Sequence, residues 1–502
     1  MRKNDQVPSA ADRPPIAWPG LTAIAGCFAV LLVATSGGYG YHRDELNFIA
    51  AGGHPALGYA DQPPIVPLLA HALDELSGHS LVWLRLPSAL AGAVTVLLCG
   101  LMAREFGGGR SAQLLAAACF AVSSIAMAVS HLMSTTTFDL LGWALLSWLL
   151  IRVLGGSSRS WLPLGLVAGL GLEVKTLIVF FLLALAVSIL AVGPRDIFRS
   201  KSLWLAAGLA LLIWSPNLWW QATHGWPQLE LSSAIASGSS GTSEPRWLFL
   251  PFQLLLISPV LFPVWVAGWW RLATDKALAP YRVFAVAYVV LAVAFLITGG
   301  KPYYLAGTYP VLLAAGAAPT LAWAARGSRR LRSGLLAASV SLTLGVSCVL
   351  FLPVVPADRL AETPVLAVNY DAGETVGWPA FAAAIGEVYD RLPPDERRRT
   401  VVLAGNYGEA GAVERFRPDL VPVYSGHNAY WHWGPPPPGA DQVIAVGYDE
   451  SDLRTWFGEV RRVGTIDNAV DLDNDEQGQS IWRCQELRQS WSELWPEMRR
   501  LG

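Results

Sequence analysis

Long apolar runs separated by short polar stretches fill the chain from residue 16 to residue 355, and the pattern then changes. A run of roughly 17–25 apolar residues has the length of a bilayer-crossing helix. Eleven such segments are predicted, near 17–37, 83–102, 112–130, 137–154, 161–174, 176–193, 203–221, 247–270, 281–299, 303–323 and 334–353. The fifth is short and reads as a broken or tilted helix, so ten or twelve spans are also compatible with the pattern. Residues 357–502 have ordinary soluble composition instead. Short apolar runs of strand length lie at Val365–Val368, Thr400–Leu403, Leu420–Val423 and Val443–Val446, and helical periodicity covers Ala380–Arg391 and Asp452–Arg462. The expected fold is therefore an α-helical polytopic membrane domain over 17–355, preceded by a cytoplasmic segment 1–16 and followed by an α/β domain over 357–502.

Composition agrees with this division. The chain is 53% hydrophobic and only 15% charged, with a mean hydropathy of +0.39, whereas a soluble domain carries about a quarter charged residues. The lipid bilayer is thus one partner. A net charge of -2 argues against nucleic acid as another. The apolar runs hold Cys27, Cys99, Cys119 and Cys348, and Cys484 stands apart in the tail, so no disulfide or zinc spacing exists. The first apolar run lacks a small-residue cleavage pattern and reads as a retained span rather than a signal peptide. With the N-terminus inside, the cytoplasmic segments contain seventeen Lys and Arg residues and the external loops only five. This positive-inside bias places the loops after odd-numbered spans, and the tail, outside the cell membrane.

The external side then carries the chemistry. Its first loop, about 38–82, opens on Tyr41-His42-Arg43-Asp44-Glu45 and continues to Ala60-Asp61-Gln62-Pro63-Pro64. Its apolar positions fit two short amphipathic helices along the interface. The proline pair pre-sets a helix start, and an acid such as Asp61 is favoured there. Arg85 lies at the outer end of the second span and Lys301 at the outer end of the ninth, followed by Tyr303 and Tyr304. His131 and Asp139 flank Ser134-Thr135-Thr136-Thr137 at another external turn. A carboxylate can orient a hydroxyl and take its proton as it attacks. A fixed Arg or Lys can hold a phosphate and stabilise the charge it gains on leaving. A sugar linked to a lipid phosphate suits that arrangement.

Each residue has a plainer reading. Arg85 and Lys301 at span ends can simply snorkel to the headgroups. Arg43 can form a structural ion pair with Asp44 or Glu45. Glu173 and Lys175 can neutralise each other or line a cavity.

In these stretches the chain resembles the bacterial members of glycosyltransferase family 39 and the wider GT-C group, which includes protein O-mannosyltransferases and lipid A aminoarabinose transferases. The resemblance rests on Arg43-Asp44-Glu45, Tyr59 to Pro64, Leu84 to Gly92, His131 to Asp139, Asn217 to Pro227, and Gly300-Lys301-Pro302-Tyr303-Tyr304-Leu305. These motifs occur in order over roughly residues 20–325. The resemblance implies a GT-C fold and the catalytic residue at Asp44, and Glu45 and Asp61 are expected to support it. It also implies that Arg85 and Lys301 contact the donor phosphate. Aminoarabinose transferases have Glu-Lys where this chain has Asp61-Gln62, which argues against that sugar and against lipid A as acceptor.

In the tail, Gly405-Asn406-Tyr407-Gly408-Glu409-Ala410-Gly411 follows a strand and opens a helix, and it reads as a strand-to-helix connection because its glycine spacing does not fit a dinucleotide fingerprint. Ser425 to Trp433 interleaves aromatics with hydrogen-bonding groups, so His427, Asn428 and Trp431 join Arg43, His131, Asp139, Tyr303 and Tyr304 as candidate substrate contacts. The alternative for this loop is an aromatic lid packed on the membrane domain. No cofactor is predicted; no His-rich or Cys ligand set marks a metal, and a divalent cation stays open. The expected function is transfer of a hexose or pentose from a polyprenyl-phosphate donor to an envelope acceptor (lipid, glycan or protein), with inversion, on the outer side of the membrane. The alternatives are a lipid or sugar transporter or flippase, and a non-catalytic scaffold.

Overall fold

The computed structural model describes residues 13–238, 245–420 and 422–502; the first twelve residues of the expected N-terminal segment, and Val421 of the expected strand Leu420–Val423, lie outside them. The described chain forms two compact units. One contains the residues up to Ser36, Arg85–Trp219 and Ile235–Leu352; the other contains Gly37–Leu84, Trp220–Ala234 and Pro353–Gly502. The segment with the acidic motif thus shares a unit with the tail.

The first unit is helical, and all eleven apolar segments contain helix. Seven helices among the described residues are long and apolar enough to cross a membrane, or nine if each of two bent pairs counts as one span. The protein is a membrane protein. The bent pairs are Arg110–Ala121 with Ser124–Ser130, at 59°, and Arg246–Ile257 with Phe262–Thr274, at 106°. The second bend corrects the expectation of one continuous span over 247–270: Ser258 ends the first helix with a φ of 108°, a conformation that no helix continues through. The expected fifth and sixth spans are the helices Trp161–Leu172 and Ile178–Val192, each shorter than a full crossing. Small residues let these helices approach closely. A Cβ on Gly268 would overlap the Leu312 carbonyl, and one on Gly316 the Val264 carbonyl, so the helices Phe262–Thr274 and Tyr309–Ala325 meet backbone to backbone.

The second unit contains the two amphipathic helices expected after the first span, Arg43–Gly53 and Ile65–Leu76. It also has a five-stranded sheet of β1 (Thr400–Ala404), β2 (Val423–Tyr424), β3 (Gln442–Val446), β4 (Phe457–Thr465) and β5 (Ser480–Leu487). The order is β2-β1-β3-β5-β4, with β1 parallel to β2 and β3, and β5 antiparallel to β3 and β4. Three expectations are corrected. Val365–Val368 is a short helix rather than a strand. The strand expected at Leu420–Val423 is confined to Val423–Tyr424, because Pro418–Leu420 forms a 3-10 turn. The helix expected over Asp452–Arg462 ends at Trp456, and β4 follows. In that edge strand the buried residues Phe457 and Val460 are three apart, with exposed residues between them. Spacing by three imitates one face of a helix.

Candidate active site

The Arg43–Gly53 helix starts in a capping box. The backbone N–H of His42 donates to Glu45 Oε2 at 2.9 Å, and the backbone N–H of Asp44 donates to His42 Nδ1 at 3.2 Å. Glu45 is wholly buried and fixes the helix start, where its charge also suits the dipole. Arg43 turns to the tail, with Nη1 3.2 Å from Oε2 of the fully buried Glu374 and its guanidinium 6.0 Å from the Tyr370 ring centroid. Asp44, left between them, is half-buried, and its Oδ1 accepts a hydrogen bond of 2.8 Å from the Tyr407 hydroxyl. Among the described residues no hydrogen bond reaches the other oxygen, Oδ2.

Asp61 lies in the bend before the Ile65–Leu76 helix. Its Oδ2 accepts from Asn47 Nδ2 at 3.1 Å and from Asn428 Nδ2 at 3.4 Å, while Oδ1 is buried without a hydrogen-bond partner. Burial raises this carboxyl to about 6, with the two amides opposing the rise and the charge of Asp44 adding to it. The bend is held from elsewhere in the unit, since the Tyr59 carbonyl accepts from Gln221 Nε2 at 3.1 Å and from Gln228 Nε2 at 3.3 Å.

His427 and Asn428 reach the same neighbourhood from the tail. The His427 ring lies 4.9 Å from the Tyr407 ring, centroid to centroid. Burial, with Arg500 and Arg43 near, lowers His427 to about 3, so it is neutral, and neither ring nitrogen has a hydrogen-bond partner among the described residues. Asn428 takes a φ of 50°. Its backbone N–H donates to the Arg500 carbonyl at 2.9 Å, and its Oδ1 accepts from the Gly502 N–H at 3.0 Å, leaving Nδ2 for Asp61. The rest of the aromatic loop is occupied with packing. Trp431 and Trp495 each donate a ring N–H to the other's carbonyl, at 2.8 and 2.9 Å, and Arg499 covers the Trp431 ring at 5.1 Å. Trp433 stacks on His54 with centroids 3.9 Å apart.

The other candidates belong to the helical unit. Arg85 is buried and its Nη1 donates to the Ser36 carbonyl at 2.6 Å, so it closes the C-terminal end of the first span rather than reaching out to headgroups. Lys301 precedes the 3-10 segment Pro302–Thr308. Its neighbours Gly300 and Pro302 line a small cleft together with Arg246, Phe249 and Phe295. His131 ends a helix, with Nδ1 3.2 Å from the Met127 carbonyl. Asp139 accepts from the Trp143 ring N–H at 3.0 Å. Lys175 donates to Thr136 Oγ1 at 2.9 Å and sits 5.3 and 5.9 Å from the Tyr303 and Tyr304 ring centroids, which places it with residues to which the sequence pattern did not join it.

Among the described residues one group, Asp74, Glu75 and His79, brings three potential metal ligands together. Arg415 Nη1 lies 3.0 Å from Asp74 Oδ2 and 2.7 Å from His79 Nδ1. A guanidinium already occupies the position a cation would take.

The sequence reading missed Tyr407, Asn47, Gln221 and Gln228. For Tyr407 the signal was its place after β1 in the Gly405–Gly411 turn. The two glutamines fall in or beside the Asn217–Pro227 stretch but carry no charge to mark them.

Residues 61–220 match the dolichyl-phosphate-mannose-protein mannosyltransferase family. The lipid A galacturonosyltransferase RgtD of Rhizobium johnstonii is 25% identical over 268 residues, which are 50% of this chain and 56% of that protein. The chain thus spans about half the length of this curated relative. The crystal structure of ArnT from Cupriavidus metallidurans bound to undecaprenyl phosphate superposes with a TM-score of 0.58 over 92% of this chain and 97% of that one, at 14% identity, and its apo state superposes equally well. The fold is the one that ArnT has, with a small sheet domain at the C-terminal end.

Proposed function

We propose that the protein is a membrane glycosyltransferase that moves a sugar from a polyprenyl-phosphate donor to a hydroxyl of an envelope acceptor, with inversion. The observation that carries this reading is Asp44 itself. One of its carboxylate oxygens is held by Tyr407, and among the described residues no hydrogen bond reaches the other, with the half-buried acid Asp61 near enough to feel its charge.

In the proposed reaction the acceptor hydroxyl donates to Asp44 Oδ2. Its oxygen attacks the anomeric carbon on the face opposite the phosphate, the bond from that carbon to the phosphate oxygen breaks, and Asp44 takes the proton. Polyprenyl phosphate leaves with both electrons of the broken bond. A phosphate is a good leaving group, so fixed cations can replace a strong general acid. The family resemblance is what assigns that charge to Lys301 and Arg85. Glu45 acts through the helix start that positions Asp44, and Asp61 through its hydrogen bonds to Asn47 and Asn428. Undecaprenyl phosphate bound to ArnT and the lipid A acceptor named for RgtD support a lipid-phosphate donor and an envelope acceptor. The topology goes with this reading: a cell-membrane protein with its N-terminus in the cytoplasm and the Asp44 unit outside.

The test is direct. Purified protein is incubated with a panel of polyprenyl-phosphate hexoses and pentoses and a membrane-lipid extract, and free polyprenyl phosphate is measured. Release that depends on the extract supports the reading. No release from any donor, with protein that is monodisperse and folded, contradicts it.

A further inference from the structure

Tyr407 stands at the carboxyl end of β1, where the chain leaves the sheet. β1 has β2 on one side and β3 on the other, so this is a switch point, the place where open α/β sheets commonly bind ligands. Here the start of the Arg43–Gly53 helix fills it. Two glycines permit the approach: a Cβ on Gly408 would lie 2.7 Å from Arg43 Cβ, and one on Gly411 2.9 Å from Leu46 Cβ. The turn is made rigid by its own capping box, in which Asn406 Oδ1 accepts from the Glu409 N–H at 3.0 Å, and Glu409 Oε2 accepts from the Gly405 and Asn406 N–H groups at 2.8 and 3.2 Å. Gln479 fixes the other Glu409 oxygen at 3.2 Å.

We propose that Tyr407 is a positioning residue for the transfer reaction: its hydroxyl holds Asp44 Oδ1 and thereby presents Oδ2 to the acceptor hydroxyl. The tail is then part of the catalytic apparatus, and the Gly405–Gly411 turn is the device that carries it. This inference rests on the reading of Asp44 as the base. Burial first, and then the charge of Asp44, push the Tyr407 hydroxyl well above its ordinary range, so it stays protonated and able to donate. The Asp44 contact is the hydrogen bond that hydroxyl makes among the described residues.

The experiment compares wild type, Tyr407→Phe and Asp44→Asn in detergent, with donor and acceptor kinetics and a melting curve for each. Tyr407→Phe is expected to keep the donor KM and the melting temperature and to lose about tenfold in kcat. A purely structural role predicts something else, a lower kcat together with a higher donor KM that follow a lower melting temperature, and that result overturns the inference. So does wild-type kinetics for Tyr407→Phe beside an inactive Asp44→Asn, which leaves the Asp44 reading intact. A fully active Asp44→Asn instead removes the reading on which both rest.

Discussion

Asp61 and Asn428 meet at 3.4 Å although 367 residues separate them in the chain. The amide that Asn428 offers is held in place by two backbone groups near the C-terminal end, the Arg500 carbonyl and the Gly502 N–H. A loop of the tail is thus fixed onto the acidic segment by polar contacts as well as by the stacking of Trp433 on His54.

That contact predicts a loss for Asn428→Ala. The substitution removes one of two amides from a desolvated carboxyl and frees the loop. A buried hydrogen bond to a charged group contributes about 1.5–3 kcal/mol, so transfer activity is expected to fall at least tenfold with the melting temperature lowered by a few degrees. An unchanged rate shows that Asp61 does not depend on the tail.

The raised carboxyl of Asp61 gives a pH signature. Its folded value of about 6 exceeds the ordinary 3.8, so the fold favours the protonated form. The stability it contributes is fully present below about 4 and is lost as pH rises to about 6. Asp61→Asn does not ionise. Its melting temperature relative to wild type is expected to rise between pH 4 and pH 7, by the equivalent of about 1–3 kcal/mol. A difference that is flat with pH contradicts the burial of this acid.

How much of this was legible in the sequence differs between the two units. The apolar runs gave the helices of the first unit, because length and hydropathy decide a membrane span almost alone. What they hid was the break at Ser258, where one conformation at one residue turns a single run into two helices. In the tail, β1 and β3 were readable because they are buried apolar runs. The edge strand β4 was not, since solvent on its open side leaves Phe457 and Val460 as its buried residues. The acidic motif was visible as misplaced charge, but the partners were not. Glu374 and Tyr407 look like ordinary tail residues until the fold brings them to Arg43 and Asp44.

The close approach of the two helix starts is sensitive to one methyl group. Gly408→Ala places a Cβ against Arg43, and overpacking of this kind costs about 1–3 kcal/mol. The expected result is a lower melting temperature and a sharp fall in kcat, because the shift carries Tyr407 off Asp44. Wild-type stability and rate show that the helix can move without consequence.

The phosphate assignment separates from the base assignment in kinetics. Lys301→Gln removes a cation from the proposed donor site and leaves Asp44 alone. The donor KM is expected to rise about tenfold, equivalent to about 1.4 kcal/mol of donor binding, with the pH profile unmoved. An unchanged donor KM removes Lys301 from the donor site.

The central claim is that Asp44 takes the proton from the acceptor. Asp44→Asn keeps the shape of the side chain and an oxygen for Tyr407 but cannot act as a base. The measurement is the rate of acceptor-dependent polyprenyl-phosphate release by wild type and Asp44→Asn, reconstituted side by side at equal folded concentration. A loss of about a hundredfold or more in kcat, with donor binding retained, is the predicted result. Full transfer activity in Asp44→Asn contradicts the account.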